Sequence, residues 1–273
     1  MTAAHADELL AWARAHGIAA MVAPLARTTA AWIASAAPRD ADDDKRVVAC
    51  IDLAACFFVI DDSPRDDALA RVADLERALA GAPGGRPLQR ALAALVRELE
   101  ARGAPLAHYR AVRVAYATAM RVRFERGATL DSDAWLALRL ATIYFEPWLS
   151  TWEILDGAVL DGADRARVAP VVAHACRWQV LENELVSLAR DRAARHPNLV
   201  ALVAAERGLD LATASADVAA RARTELAALD RALAAIAGPS PALARSVATI
   251  VRAVDGARAH HVAGDPARYV VAT

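Results

Sequence analysis

The spacing of apolar residues constrains the fold of this chain more strongly than any other feature of its sequence. Hydrophobic side chains recur every three or four positions almost throughout, and no segment alternates apolar and polar residues with a period of two. The first pattern gives a helix one apolar face, whereas a half-buried strand requires the second. Alanine, which has the highest helix propensity, is the most abundant apolar residue. The sequence therefore predicts an all-α fold.

Glycine, proline and short polar clusters divide this pattern into about nine or ten helices. The interruptions lie at 34–46, 81–87, 102–106, 125–135, 154–166, 195–198 and 237–241. None of them is long enough for a flexible linker, and no repeat of fixed period is present. Hydrophobic residues make up 56% of the chain, which is ample for a buried core. We therefore expect residues 1–273 to form one helical domain.

The charge and the cysteine content exclude several classes of function. The net charge is −1 and no basic stripe carries interleaved aromatic residues, so we expect no nucleic acid as partner. No stretch of about 18 uncharged apolar residues is present, and the N-terminus lacks a basic region followed by an apolar core. We therefore expect no membrane span and a cytoplasmic location. Cys50, Cys56 and Cys176 are too scattered for a disulfide framework or a zinc site.

An acidic cluster, FFVIDDSPRDD, begins at the aromatic end of one predicted helix. Asp61 and Asp62 lie at the carboxyl end of a helix predicted over 43–60, where the helix dipole disfavours negative charge. Phe57 and Phe58 precede them by one turn on the same side. Carboxylates placed against both a dipole and an apolar surface usually bind a cation, and oxygen ligands favour Mg²⁺.

The rest of this cluster also has a purely structural explanation. Ser63 can cap the next helix, with Pro64 as the first helical residue and Asp66 at the third position, as in a capping box. Asp66 would then complement the positive end of the dipole of a helix over 64–80. Taken alone, the segment leaves a metal site and a capped helix as alternatives.

A second polar cluster lies in the segment ENELVSLARD at 182–191. On a helix, Asn183, Ser187 and Asp191 follow one another at intervals of four residues and drift by about 40° per step, so they line one side. An amide oxygen, a hydroxyl and a carboxylate at this spacing can chelate one hard cation, and Arg190 lies next to them. The same residues could instead form a solvated face of the helix.

A proline lies inside the helix predicted over 131–155. Pro147 removes a backbone hydrogen bond, so we expect a kink at this point. The aromatic residues around it are Tyr144, Phe145, Trp148 and Trp152. A kink would free backbone carbonyls beside aromatic walls, whereas an ordinary helix boundary would make these residues part of the core.

Together, these segments resemble the two metal motifs of class I terpene synthases, in particular bacterial terpene cyclases with a single α domain. The residues that match the aspartate-rich motif and the later Asn/Ser/acid motif are Asp61, Asp62, Asp66, Asn183, Ser187 and Asp191. At Asp191 the family more commonly has glutamate. The matching segments keep the family's order from residue 50 to the end of the chain, whereas 1–40 match only weakly.

Other segments resemble those with which the family binds diphosphate. WLALRLATIYFEPWL is similar to the segment of the sensing arginine, which corresponds here to Arg139. Arg190 corresponds to the basic residue before the last acid, and DPARY supplies the pair Arg268 and Tyr269. The stretch HPNLVALVAAERGLDLATA at 196–214 is similar to the one that bacterial members carry after the second motif.

The resemblance implies a helical bundle around a central apolar pocket that holds a prenyl diphosphate. It implies three Mg²⁺ ions on the two motifs, for which Mn²⁺ can substitute, and diphosphate binding by the three arginines and Tyr269. The residues that would line the pocket are Phe57, Phe58, Tyr144, Phe145, Trp148, Trp152 and Trp178. Residues 262–273 would form part of a lid.

The implied reaction is the ionisation and cyclisation of a prenyl diphosphate with release of diphosphate. We expect the C15 compound farnesyl diphosphate as substrate, with a C20 diphosphate as the next candidate. Since homodimers are common in the family, the resemblance also implies a homodimer.

Two other functions stay open at this point. A chain-elongating prenyl transferase has a similar fold but carries a second aspartate-rich motif, whose place is taken here by the Asn/Ser/acid cluster. A helical interaction protein without enzymatic activity would carry the acidic and polar clusters as solvated faces, and it would tolerate the substitution Asp61→Ala.

Overall fold

The computed structural model describes the backbone of residues 2–263 and the side chains of residues 3–259, and the regular structure in this part is helical throughout. This confirms the predicted all-α fold. The fourteen α-helical segments are α1 (Thr2–Ala15), α2 (Ala19–Val22), α3 (Ala26–Ala36), α4 (Asp43–Leu53), α5 (Val59–Asp61), α6 (Arg65–Leu79), α7 (Pro87–Ala101), α8 (Ala107–Arg126), α9 (Ser132–Thr142), α10 (Phe145–Leu155), α11 (Gly162–Ala193), α12 (Leu199–Arg207), α13 (Leu211–Ala234) and α14 (Pro241–Ala263).

The described part contains more helical segments than the sequence predicts because some stretches without a predicted interruption are divided by tight turns. Residues 2–36 form three helices, with Gly17 at φ +71° after the first of them. The chain after 198 is divided into α12 and α13 at Gly208, whose φ is +63°. Glycine takes this left-handed conformation without steric cost, so it ends a helix without a longer loop.

Side-chain caps explain where several helices begin. Asp42, Asp131, Asp161 and Asp210 each precede a helix and accept a hydrogen bond from the backbone N–H three residues later. Asn198 caps α12 in a similar way, with its side-chain oxygen 3.0 Å from the backbone nitrogen of Val200. Each cap stabilises its helix by about 1 kcal/mol.

The capping box predicted for Ser63 is wrong. The residue before α6 is Pro64, and it makes no side-chain cap. The Ser63 hydroxyl instead donates a hydrogen bond back to the carbonyl of Val59, and it also accepts one from Arg71. Asp66 does lie in the first turn of α6, where its charge suits the helix dipole.

Of the two alternatives at Pro147, the structure shows a helix boundary and not a kink, because the chain breaks three residues earlier. Helix α9 ends at Thr142, and Tyr144 takes a left-handed conformation with φ +65° before α10 begins. Pro147 is the third residue of α10, where the backbone N–H has no partner within the helix. Its missing N–H therefore costs no hydrogen bond.

Helices α4 and α5 are two parts of one continuous helix that is interrupted by a π-helical turn at Ala54–Phe58. Such a turn contains one residue more than an α-helical turn. The residues after it are therefore rotated relative to the positions that a regular α-helix would give them. It lies directly before Asp61 and contains Phe57 and Phe58. The turn therefore sets the direction of the aspartate-rich segment.

One contiguous apolar core joins helices from α1 to α14. Helix α11 packs against α13 and α14, and α6 packs against α7 and α8. The charged side chain of Arg113 is fully buried within this core, where it pairs with Asp52. None of the helices within residues 2–263 combines the length and the apolar character that a bilayer span requires.

Candidate active site

A cavity of about 260 Å³ brings the two polar motifs together. Asp61 reaches it from the end of α5, and Asn183 and Asp191 reach it from α11. Helix α8 and the break between α9 and α10 supply further lining residues. Two clusters that lie far apart in the sequence therefore meet at one cavity.

The aspartate-rich segment faces this cavity only in part. Asp61 lines it, and its carboxylate forms an ion pair with the guanidinium of Arg123 on α8. Asp62 and Asp66 are exposed, and neither is among the residues that line the cavity. Of the three predicted aspartates, Asp61 is therefore the one that the structure places at the cavity wall.

The Asn/Ser/acid motif is held together by hydrogen bonds on one side of α11. Ser187 Oγ donates to Asp191 Oδ2 at 2.6 Å, and Asn198 Nδ2 donates to the same oxygen at 3.1 Å. Arg190 Nη2 donates to Asp191 Oδ1 at 2.9 Å. Asn183 and Asp191 line the cavity, whereas Ser187 is buried behind them. The predicted spacing of four residues does bring these side chains to one side.

Arg139 connects this motif to the break between α9 and α10. It is 5% exposed and lines the cavity. Its Nη2 donates to Asn183 Oδ1 at 2.8 Å, and its Nε donates to Glu184 Oε1 at 2.7 Å. The second carboxylate oxygen of Glu184 accepts from Trp135 Nε1 at 3.0 Å. The hydrogen bonds to Asn183 and Glu184 thus fix the orientation of the Arg139 guanidinium.

Aromatic rings form much of the cavity wall. Phe57 stacks on Tyr144 with ring centroids 5.3 Å apart and an angle of 16° between the ring planes. Phe58 lies 5.0 Å from Phe57 between centroids. The five predicted aromatic residues that line the cavity are Phe57, Phe58, Tyr144, Phe145 and Trp148.

Two described tryptophans of the predicted wall lie outside it. Trp152 packs behind Trp148, one turn further along α10, with ring centroids 5.5 Å apart. Trp178 lies next to Gln179 on α11, and it is Gln179 that lines the cavity. Because successive residues of a helix point about 100° apart, Trp178 is turned away from the cavity. Both tryptophans are buried in the core.

Part of the predicted site lies outside the described residues. This applies to Arg268 and Tyr269, and to the segment 264–273 that makes up most of the predicted lid.

Comparison with protein families agrees with this geometry. The family described as terpene synthase family 2, C-terminal metal binding, matches residues 52–228, which include both polar motifs. The chain belongs to terpene synthase family 2. This identifies the protein as a terpene synthase and confirms its resemblance to the class I enzymes. No curated protein sequence matches the chain.

Three solved structures share the fold of this terpene synthase. Linalool/nerolidol synthase from Streptomyces clavuligerus, in complex with 2-fluorogeranyl diphosphate, has a TM-score of 0.79 and 23% identity, covering 98% of this chain and 95% of that chain. The SVS_A2 protein from ancestral sequence reconstruction has a TM-score of 0.81 and 20% identity, covering 96% and 85%. A variant of cucumene synthase has a TM-score of 0.78 and 18% identity, covering 98% and 96%. At such low identity these similarities show the fold alone.

Several residues of the terpene synthase site are not apparent from the sequence. Arg123 pairs with Asp61 from a helix that carries no recognisable motif. Glu184 is 2% exposed and holds both Arg139 and the backbone N–H of Leu199, the latter at 2.6 Å. Asn198 could have been found from its sequence, because an asparagine after HP and before an apolar run is a typical helix cap.

The arginines at the cavity link the two motifs electrostatically. Burial alone would lower the pKa of Arg190, but the carboxylates of Asp191, Asp61 and Asp62 together raise it above its usual value. Burial alone would likewise lower the pKa of Arg123, but its ion pair with Asp61 raises it. Both guanidinium groups therefore stay charged beside the acidic residues.

The oxygen donors at the cavity fit a hard divalent cation, in agreement with the metal-binding description of the family. The donors that line the cavity are carboxylate and amide oxygens of Asp61, Asn183 and Asp191, and the hydroxyl of Ser187 lies behind them on Asp191. Among residues 3–259 no three acidic, histidine or cysteine side chains form a metal cluster. Protein N–H or O–H groups bond Asp61, Asn183 and Asp191, so a cation would replace these donors.

Proposed function

We propose that this terpene synthase uses Mg²⁺ to ionise a prenyl diphosphate, with farnesyl diphosphate as the first candidate, and cyclises the hydrocarbon cation that results. The observation that carries the proposal is the shared cavity of Asp61, Asn183 and Asp191, whose remaining wall combines arginine side chains with aromatic rings. Such a cavity has a polar end for the anion and an apolar interior for the hydrocarbon chain.

The polar end would hold the metal ions and the diphosphate. We propose that the metal ligands are Asp61, Asp62, Asp66, Asn183, Ser187 and Asp191. Arg139 and Arg190 line the cavity and carry N–H groups suited to phosphate oxygens, and Arg268 and Tyr269 complete the proposed anion site. Bound Mg²⁺ would supply positive charge that neutralises the departing diphosphate.

The apolar interior would protect the cation after the carbon–oxygen bond breaks. The bond's electrons leave with the diphosphate, and the allylic carbon becomes positively charged. Aromatic faces such as those of Phe57 and Tyr144 stabilise a nearby positive charge by about 0.5–2 kcal/mol each. Exclusion of water keeps the cation available for ring closure, which requires the cavity to close around the substrate.

Two further features belong to the proposal. Residues 262–273 would contribute to closure of the cavity, and the chain would act as a single domain that forms a homodimer. The C20 diphosphates remain the second candidate as substrate. A C10 substrate is also part of the test, because the structurally similar linalool/nerolidol synthase was solved with 2-fluorogeranyl diphosphate.

The decisive experiment is incubation with C10, C15 and C20 prenyl diphosphates in the presence of Mg²⁺, Mn²⁺ or EDTA. Diphosphate release and hydrocarbon products are measured together. We expect metal-dependent release of diphosphate with matching amounts of terpene, and farnesyl diphosphate to be the best substrate. A parallel reaction with added isopentenyl diphosphate detects chain elongation. An absence of metal-dependent turnover with all three chain lengths contradicts the proposal.

Matched variants separate the metal site from general effects of charge. Asp61→Ala and Asn183→Ala should each lower turnover at least about a hundredfold, because each removes a proposed ligand. Asp67→Ala removes an exposed carboxylate from the first turn of α6 outside the proposed ligand set, and turnover should be retained. Circular dichroism checks that all three variants are folded. Full activity of Asp61→Ala would contradict its proposed role as a metal ligand.

A further inference from the structure

A buried ion pair lies behind the cavity wall and takes no part in the proposed chemistry. The side chains of Asp52 on α4 and Arg113 on α8 are both 0% exposed. Arg113 Nη2 lies 2.8 Å from each carboxylate oxygen of Asp52. Transferring two charges out of water costs about as much as their attraction returns, so such a pair is weak evidence for a role in stability. Its contacts indicate another role.

Two tyrosines donate to the same carboxylate, Tyr109 from α8 and Tyr144 from the break between α9 and α10. Tyr109 Oη lies 3.0 Å from Asp52 Oδ1, and Tyr144 Oη lies 3.1 Å from Asp52 Oδ2. Burial raises the pKa of both phenols well above their usual range, so both are protonated and can donate. Asp52 therefore fixes the direction of both rings through its two oxygens.

Only one of these two rings lines the cavity. Tyr144 does so, and it stacks on Phe57, which also lines the cavity. Tyr109 is 1% exposed and packs under the guanidinium of Arg113, whose central carbon lies 3.4 Å from the ring centroid. It is not among the residues that line this cavity. Of the two phenols, Tyr144 is the one that the carboxylate can hold against a substrate.

The backbone at Tyr144 requires such a support. Its φ of +65° is in the left-handed region, which is unfavourable for a residue with a large side chain. The residue forms the break between α9 and α10, where the helical ladder does not hold it in place. The hydrogen bond to Asp52, the stack on Phe57 and an edge contact with Tyr116, whose ring centroid lies 5.0 Å away, therefore hold the ring in place. Asp52 and Phe57 belong to the same continuous helix, which ends at Asp61.

We propose that Asp52 is a positioning residue that holds the Tyr144 ring as a fixed part of the cavity wall and thereby selects how the hydrocarbon chain folds before ring closure. This inference rests on the proposed function. A fixed wall restricts the substrate to few conformations, so the enzyme makes few products. A ring that moves admits other conformations, and the product mixture broadens.

The two tyrosines provide a matched test. Tyr144→Phe and Tyr109→Phe each remove one phenol hydroxyl from Asp52 and keep the aromatic ring. We expect Tyr144→Phe to raise the ratio of minor to major products about fivefold, which corresponds to roughly 1 kcal/mol between competing barriers. Tyr109→Phe should leave this ratio unchanged, and both variants should lose a similar amount of thermal stability because each loses one buried hydrogen bond.

The outcomes separate positioning from a merely structural role. Equal product ratios in the two variants, or a ratio in Tyr144→Phe that equals that of the unmodified enzyme, would overturn the inference. Asp52→Asn adds a readout that does not depend on turnover. In its crystal structure we expect the Tyr144 ring to have left the stack on Phe57, and an unmoved ring contradicts the inference.

The failure of the proposed function would be recognised separately. It would appear as an absence of diphosphate release from the unmodified enzyme. The position of the ring in Asp52→Asn would still decide whether Asp52 holds Tyr144.

Discussion

Glu184 offers a sharp test of how the structure supports the cavity. Its carboxylate is 2% exposed and accepts from Arg139 Nε at 2.7 Å, from Trp135 Nε1 at 3.0 Å and from the backbone nitrogen of Leu199 at 2.6 Å. It thus joins α9, α11 and the start of α12. The substitution Glu184→Gln keeps the size of the side chain but removes its charge and replaces one acceptor oxygen with a donor.

The expected loss follows from these contacts. Arg139 is 5% exposed, so the substitution leaves a buried guanidinium without its carboxylate. Removing one partner of a buried ion pair typically lowers the free energy of unfolding by 3–5 kcal/mol. Because the amide oxygen of glutamine still accepts one hydrogen bond, we expect a loss at the lower end of this range, about 3 kcal/mol. For a chain of this size that corresponds to a decrease in Tm of roughly 6–12 °C. Arg139 would also lose its fixed orientation, so diphosphate release should slow.

Glu182→Gln is the matched control, because it makes the same chemical change two residues earlier on α11. Burial raises the pKa of the half-buried Glu182, which means that the folded state disfavours its charge. Its neutralisation should therefore leave Tm at pH 7.5 unchanged or slightly higher. Thermal unfolding of both variants, followed by circular dichroism, gives the comparison. A Tm of Glu184→Gln within about 2 °C of that of Glu182→Gln would refute the role of the buried carboxylate.

Three further predictions follow from other contacts. Arg123→Gln removes the internal cation that pairs with Asp61, so the Mg²⁺ concentration for half-maximal diphosphate release should fall about fivefold, and an increase in a Mg²⁺ titration would contradict this. Asn198→Asp keeps the cap of α12 but places a second carboxylate beside Asp191. The free energy of unfolding should therefore be lower at pH 7. It should recover as the pH falls towards about 5, because the two carboxylates of the folded protein then share a proton. Burial raises the pKa of three thiols to about 12, those of Cys50, Cys56 and Cys176. A thiol reagent at pH 7.5 should therefore react with them only after unfolding, and rapid labelling of the folded protein would count against the described packing.

The predictions from the sequence were most successful where local spacing determines the geometry. Asn183 and Asp191 lie on one side of a helix because they are eight residues apart, and a helix of any fold would place them so. The all-α class follows from the same periodicity. That Asp61 meets them at a cavity does not follow from spacing, and it was expected only through the resemblance to a known family.

Other features depend on contacts between distant residues, and local patterns do not reveal them. The break at Tyr144 is stabilised by Asp52 and Phe57, which lie on another helix, so the proline indicated a boundary but not its exact position. Ser63 bonds back to Val59 instead of capping the next helix. Trp178 has the aromatic side chain expected of a cavity wall. The direction in which it points depends on how α11 is oriented in the fold, and the type of side chain does not reveal that orientation.

The π-helical turn at Ala54–Phe58 divides the long helix from Asp43 to Asp61 into two parts whose side chains point in different directions. Before the turn, Asp52 points into the core; after it, Asp61 points into the cavity. In a regular α-helix with the same number of residues, Asp61 would be rotated by about 100° from its position here while Asp52 stayed in place. The extra residue therefore shifts the phase between the part of the helix that builds the interior and the part that meets the ligand.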